Sequence, residues 1–515
     1  MSRGEEARNR LLRRADFRYL LPDPSPATSM CLAPALAEPL ACMSATVLAG
    51  TGAVDAGVDL VAAIDPRADA LARARAALRP GGVLYTEWRR PRAETWKGIR
   101  RRLRSAGFEA LGCWWPRPDP DRSPATVWIP VDGAAPLRYY RTRRTPSRNP
   151  VRRAARGART VQWLLAPRRP VCAVATKAES APPGGRAEDP VETIRESWSR
   201  WGLGPAPRRL YRLLLAPPGR SSGKVVTLLF ADDDPEPRVA LKRARTPESA
   251  EGLRREADVL RSLDGKLPGA GIPKLFESWA DGSAAEGALT GLPIAAFLRR
   301  KSLEELADAA CRWLIEFAAA TRGRAVNARD RALAVLSDFE EDYGTVVDRA
   351  MLRETEEALR ALGDLSEVCE QRDFSPWNVH WDARGKLVVF DWESAERRGL
   401  PALDLVYFLA FLGFYSDRAL PRRAHAASFR RQLDPSSATG AVTRSSLARY
   451  AAATGVSEGA LRPLRLTTWM LHARSERLRL DADAGGKASP ELLRRSVFRD
   501  LWELEIRHGD GRRPG

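Results

Sequence analysis

Residues 369–409 read CEQRDFSPWNVHWDARGKLVVFDWESAERRGLPALDLVYFL, and this stretch decides what the second half of the chain is. Asp373 and Asn378 stand five apart in a short loop, and the residues that follow predict a hairpin. Its strands are Asn378–Trp381 and Leu387–Phe390, joined by the turn DARG, because short apolar runs bracket a turn-forming tetrapeptide. Asp391 ends the second strand, so Asp373, Asn378 and Asp391 are expected together at one end of the hairpin. Phosphoryl transfer uses such a set. One carboxylate orients an attacking hydroxyl and accepts its proton; an amide and a second carboxylate hold Mg²⁺ against nucleotide phosphates.

The same residues resemble the catalytic and metal loops of the aminoglycoside phosphotransferase and choline kinase branch of the protein-kinase-like superfamily, where the loop reads HxDxxxxN and the metal motif begins D-[FWY]-[ED]. Here the loop runs Gln371 to Asn378 and the second motif is Asp391-Trp392-Glu393. The resemblance implies Asp373 as catalytic base, Asn378 and Asp391 as metal ligands, Asp404 as a brace for the loop, and ATP with Mg²⁺ as the nucleotide pair. One position departs, since Gln371 stands where the family has histidine. Glutamine can still donate and accept the hydrogen bonds of a loop anchor.

The resemblance also calls for a nucleotide lobe upstream. RLLLAPPGRSSGKVVTLLF reads as strand, turn and strand, with Gly219, Ser221, Ser222 and Gly223 in a turn placed to cover phosphates. It is not a Walker A loop, because three residues separate Gly219 from Gly223 and Val225 follows Lys224. PRVALKRAR predicts a strand carrying Lys242 for the phosphates, and ESAEGLRREADVLRSL a helix with Glu256 as its ion-pair partner, Glu251 being the fallback. LTGLP, Leu289–Pro293, is the expected hinge, followed by a helical lobe. The acceptor site is expected on residues 405–515, which carry about +8 of net charge. That sign favours an anionic or neutral acceptor, such as a sugar hydroxyl on a glycan, over a cationic one.

Upstream of a Pro/Gly-rich stretch near residues 178–190, strand-like and helix-like segments alternate, which predicts a parallel sheet with crossover helices. DLVAAIDPRADALARARAALRPGGVLYTEW and RRLRSAGFEALGCWW are similar to the second half of a class I S-adenosylmethionine-dependent methyltransferase, with LRPGG as a turn ahead of the strand Val83–Trp88. The expected fold is therefore an α/β, Rossmann-like domain at 1–178, a linker at 179–205, and an α+β bilobal kinase-like domain with lobes at 206–293 and 294–515. The candidate first strand runs into CLAPALAEPL with no glycine turn, and Gly50 and Gly52 precede no helix. A degenerate, structural domain is expected, and binding of S-adenosylmethionine is doubtful.

The 515 residues carry 84 Lys and Arg against 65 Asp and Glu, a net charge of +19. About +16 of it falls in residues 1–180, and 11 arginines with no acid lie between Arg138 and Arg169. That segment reads as a solvated basic helix, as a contact for anionic lipid through VQWLL, or, least favoured, as a nucleic-acid contact. No apolar run is long enough to span a membrane, and the six cysteines show no CxxC pair, so a cytoplasmic protein, in one reading membrane-associated, is expected. Three other readings stay open: a pseudokinase scaffold, a bifunctional methyltransferase-kinase, and a nucleic-acid-binding regulator.

Overall fold

The computed structural model describes residues 3–50, 57–89, 95–142, 169–177, 189–217, 223–267, 269, 271–484 and 486–509. Residues 143–168 of the basic segment, and Gly219, Ser221 and Ser222 of the phosphate turn, lie outside them. The chain forms two compact units, a sheet unit of residues 3–253 with 276–288 and a helical unit of 254–275 with 289–515.

Among the described residues the sheet unit is built on twelve strands: β1 (Thr28–Cys31), β2 (Thr46–Ala49), β3 (Val58–Ile64), β4 (Leu78–Trp88), β5 (Phe108–Arg117), β6 (Val127–Pro130), β7 (Val171–Lys177), β8 (Leu210–Leu215), β9 (Lys224–Ala231), β10 (Val239–Ala244), β11 (Leu275–Ser278) and β12 (Ala284–Gly287). Their spatial order is β11-β12-β10-β9-β8-β6-β5-β7-β4-β3-β1-β2. Strands β2, β1, β3 and β4 are parallel, and β7 runs antiparallel between β4 and β5. VDLVAAI of β3 is apolar almost throughout because both faces of that strand are covered. On one face lie the helices Ala68–Ala77 and Trp96–Ser105. On the other lies the N-terminal segment Ala15–Leu21, whose Phe17 stacks on Tyr85 with ring centroids 4.0 Å apart.

Two features differ from the sequence expectation. RPGG does not precede β4 as a separate turn but bulges within it: Leu78 pairs with Val58, the next pair is Val83 with Leu60, and the four residues loop out between them. Gly81, at φ 74, takes the left-handed conformation that this bulge requires. The strands expected to form a nucleotide lobe also do not make a sheet of their own. Val127 and Trp128 of β6 pair with Leu215 and Leu214 of β8, so the edge β8 would otherwise present is closed.

The helical unit packs around Phe317, Phe339, Phe374, Trp392, Trp469 and Trp502, all nearly inaccessible to solvent. Its central helix, Leu403–Ser416, is LDLVYFLAFLGFYS, apolar on every side and buried on nearly every side. The helix Leu303–Thr321 begins at a capping box in which Ser302 and Glu305 satisfy each other's backbone N–H groups. The expected hairpin forms between Val379–Trp381 and Leu387–Val389, and Leu292–Pro293 pairs along its edge. No helix among the described residues is long and apolar enough to cross a membrane.

Candidate active site

In the helical unit the loop 371–378 is built by its own side chains. Asp373 receives the Asn378 side-chain amide on its carboxylate at 2.7 Å, and its carbonyl accepts from the same amide at 3.0 Å. Both donor hydrogens of Asn378 therefore point at Asp373, which turns Oδ1, the atom able to face a cation, the other way. The hairpin sets the third member: Phe390 N–H donates to the Asn378 carbonyl at 3.0 Å, and Asp391 follows directly. Asp391 sits at φ 63, a left-handed conformation uncommon outside glycine and typical of functional loops.

Gln371, fully buried, ties these pieces together. Its carbonyl accepts the Asp373 N–H at 2.9 Å, while its amide donates to the carbonyls of Phe390, at 3.0 Å, and of Asp391. Asp404 accepts the N–H groups of Gln371 at 2.7 Å and Arg372 at 2.8 Å. Arg372, also left-handed at φ 63, reaches Glu370 at 3.1 Å, and Glu370 in turn accepts the Leu400 N–H at 2.5 Å. Burial, reinforced by neighbouring Asp391, pushes the Asp373 carboxyl up to about 7; burial and Glu370 push Asp404 up to about 7 as well.

Glu256 is bound to the segment Asp391–Glu393, because its carboxylate accepts the Trp392 N–H at 2.8 Å. In the sheet unit, Lys242 is buried and forms an ion pair with Glu286. Sequence reasoning missed Glu286. Its signal is the register: Lys242 lies opposite Ala284 and Ala240 opposite Glu286, so lysine and glutamate are diagonal neighbours on one face. Gly223 lies just before β9, where its carbonyl accepts the Arg245 N–H at 3.3 Å.

An aromatic group borders the loop 371–378. Tyr407 donates to Asp373 at 3.4 Å and stacks on His472 with centroids 3.9 Å apart. Burial, with Arg479 nearby, pulls the His472 imidazole down to about 3, so it is neutral at pH 7. Trp377, exposed to 36%, lies perpendicular to Phe411 with centroids 5.1 Å apart and tilted against Tyr415 at 6.3 Å.

The oxygen donors of Asn378 and Asp391 suit Mg²⁺, which takes one or two protein ligands and completes its shell from water and phosphate. The described residues hold no group of three or more His, Cys, Asp or Glu arranged for a metal.

Residues 226–438 match the phosphotransferase enzyme family. The matched span holds Lys242, Glu256, the loop 371–378, Asp391 and Asp404. No curated protein sequence matches the chain. Among solved structures, the apoenzyme of macrolide 2'-phosphotransferase MphH from Brachybacterium faecium is similar at 17% identity and TM-score 0.37, over 60% of this chain and 97% of that one. A thermostable mutant of aminoglycoside phosphotransferase APH(4)-Ia, in ternary complex with ADP and hygromycin B, is similar at 14% identity and TM-score 0.37, over 62% and 100%. ADP-bound aminoglycoside phosphotransferase APH(2'')-Ib is similar at 12% identity and TM-score 0.34, over 61% and 98%.

Proposed function

We propose that the chain is an ATP- and Mg²⁺-dependent small-molecule phosphotransferase that moves the γ-phosphoryl group to an acceptor hydroxyl. The observation that carries this reading is the bonded set of Asp373, Asn378 and Gln371, with Gln371 linked on to the backbone of Asp391. Asp373 orients the acceptor hydroxyl and takes its proton, a task suited to a carboxyl whose proton affinity is raised toward neutrality. Asn378 and Asp391 hold Mg²⁺, which when bound neutralises charge on the phosphates. Lys242 binds the phosphates, with Glu286 and Glu256 as the carboxylates that orient the nucleotide machinery.

The acceptor in this reading is a neutral or anionic sugar or glycan. The partly exposed Trp377, in the same loop as Asp373, supports a ring-shaped ligand, and the net positive charge of residues 405–515 disfavours a polycation. A panel of neutral sugars, sugar phosphates and aminoglycosides incubated with γ-labelled ATP tests it. Label is expected on the first two classes, and efficient transfer to aminoglycosides would overturn the acceptor assignment.

For residues 1–178 we propose a methyltransferase-like domain that has become structural. The order β2-β1-β3-β4-β7-β5, with only β7 reversed, supports the ancestry. Loss of cofactor binding is supported by side chains packed near the C-terminal end of β4: Phe17 on Tyr85, and Arg14 paired with Glu87 at 2.6 Å. Calorimetry with S-adenosylmethionine is expected to show no binding. Attachment of the segment 138–169 to anionic lipid is a companion proposal supported by its arginines, and sedimentation with phosphatidylserine vesicles tests it.

A further inference from the structure

The N-terminal segment Asp16–Tyr19 is buried at the flank of the strand that carries Lys242. Asp16, wholly inaccessible, receives Arg245 bidentately, Nε at 3.0 Å and Nη2 at 2.9 Å. Arg18 donates to the Arg245 carbonyl at 2.9 Å, and the Tyr19 hydroxyl donates to the Ala244 carbonyl at 2.5 Å. Arg243 donates to the Tyr19 carbonyl, and the guanidinium groups of Arg18 and Arg243 each lie 4.8 Å from the Tyr19 ring. Arg245 also bonds to Pro217 and Gly223: its side chain donates to the Pro217 carbonyl at 3.2 Å and its N–H to the Gly223 carbonyl at 3.3 Å.

Taking a carboxylate and a guanidinium out of water is costly, and a well-packed apolar pair would stabilise a core at least as well. What the charged, bidentate arrangement adds is direction. It sets where Arg245 points, and Arg245 holds Pro217 and Gly223. Tyr19 fixes the strand two residues beyond Lys242. The sequence separation is large, 229 residues between Asp16 and Arg245, so the N-terminal region reaches across the shared sheet to the two elements assigned to the nucleotide phosphates.

We infer that Asp16 and Tyr19 are positioning residues, a clamp through which the N-terminal domain holds the Lys242 strand, Pro217 and Gly223 in the geometry that binds nucleotide. This rests on the phosphotransferase reading for its purpose, though not for its geometry. The domain that lost its glycine turn thereby serves the neighbouring catalytic machinery.

The test uses the full chain with Asp16→Asn and, in case that variant folds poorly, Tyr19→Phe, which keeps the ring and removes only the hydroxyl. Two readouts are taken: amide hydrogen exchange of the free protein, and the Kd for MgADP by calorimetry. The clamp predicts faster exchange confined to residues 223–228 and 239–245, with β1 to β4 unchanged. It also predicts a Kd for MgADP raised about tenfold, the effect of leaving a buried partner unsatisfied. Exchange that is unchanged, or raised evenly across the sheet, would overturn it, as would an unchanged Kd beside a lowered Tm. If the unaltered protein binds no MgADP, the phosphotransferase reading fails, while the exchange pattern still decides the clamp.

Discussion

Replacing Gln371 with alanine probes how the site tolerates glutamine where the resembling family has histidine. The side chain makes three hydrogen bonds, two donated to the carbonyls of Phe390 and Asp391 and one accepted from Asp373 N–H. Alanine leaves these backbone groups without that partner in a site where Gln371 itself is fully buried. At about 1–3 kcal/mol for an unsatisfied buried group, and with some recovery by entering water, the expected loss is about 2–4 kcal/mol. For a unit of this size that lowers Tm by roughly 5–12 °C. The same bonds set Asp373 against Asp391, so kcat is expected to fall about a hundredfold, as misplacement of reacting groups by about 1 Å does. Gln371→His, which retains one donor and one acceptor, is expected to keep most of the activity. The assays are differential scanning calorimetry and steady-state ADP release. An alanine variant with unchanged Tm and unchanged kcat would refute the claim that Gln371 organises the loop.

Other substitutions separate the remaining roles. Asp391→Asn is expected to raise the Mg²⁺ concentration for half-maximal rate at least tenfold, read from a metal titration of turnover, because a hard cation loses its charged ligand. Glu286→Ala leaves Lys242 without its ion-pair partner in the sheet and is expected to cost about 3 kcal/mol, measured by urea denaturation; the pair Glu286→Ala with Lys242→Met should recover part of that cost. Trp377→Ala is expected to raise the acceptor KM several-fold with the KM for ATP unchanged, because only the exposed ring beside the catalytic loop is lost.

The catalytic loop was legible because it is local. Asp373, Asn378 and Asp391 fall within one hairpin and its lead-in, so spacing and turn chemistry alone bring them together. Contacts that depend on register or on distant sequence were not. Glu286 reaches Lys242 only because β10 and β12 pair with Ala240 opposite Glu286, a choice among registers that no local pattern makes. The clamp of Asp16 on Arg245 was hidden for the same reason, since a buried carboxylate near the start of the chain looks like any surface acid until the sheet is assembled. RPGG illustrates a subtler limit: its glycines correctly mark a local reversal, yet the strand continues through it as a bulge because Leu78 still pairs with Val58. The joining of β6 to β8 had no sequence signal either, since the edges of two predicted sheets look alike whether or not they meet.

In the proposed reaction Asp373 performs chemistry rather than support. The most direct measurement is phosphoryl transfer from γ-labelled ATP by the purified full chain and by Asp373→Asn, with the Kd for MgATP measured on both. Turnover reduced about 10²- to 10⁴-fold, with the nucleotide Kd changed by no more than a few-fold, is the predicted result. Equal turnover in the two proteins, or nucleotide binding with no transfer by either to any acceptor, would contradict it.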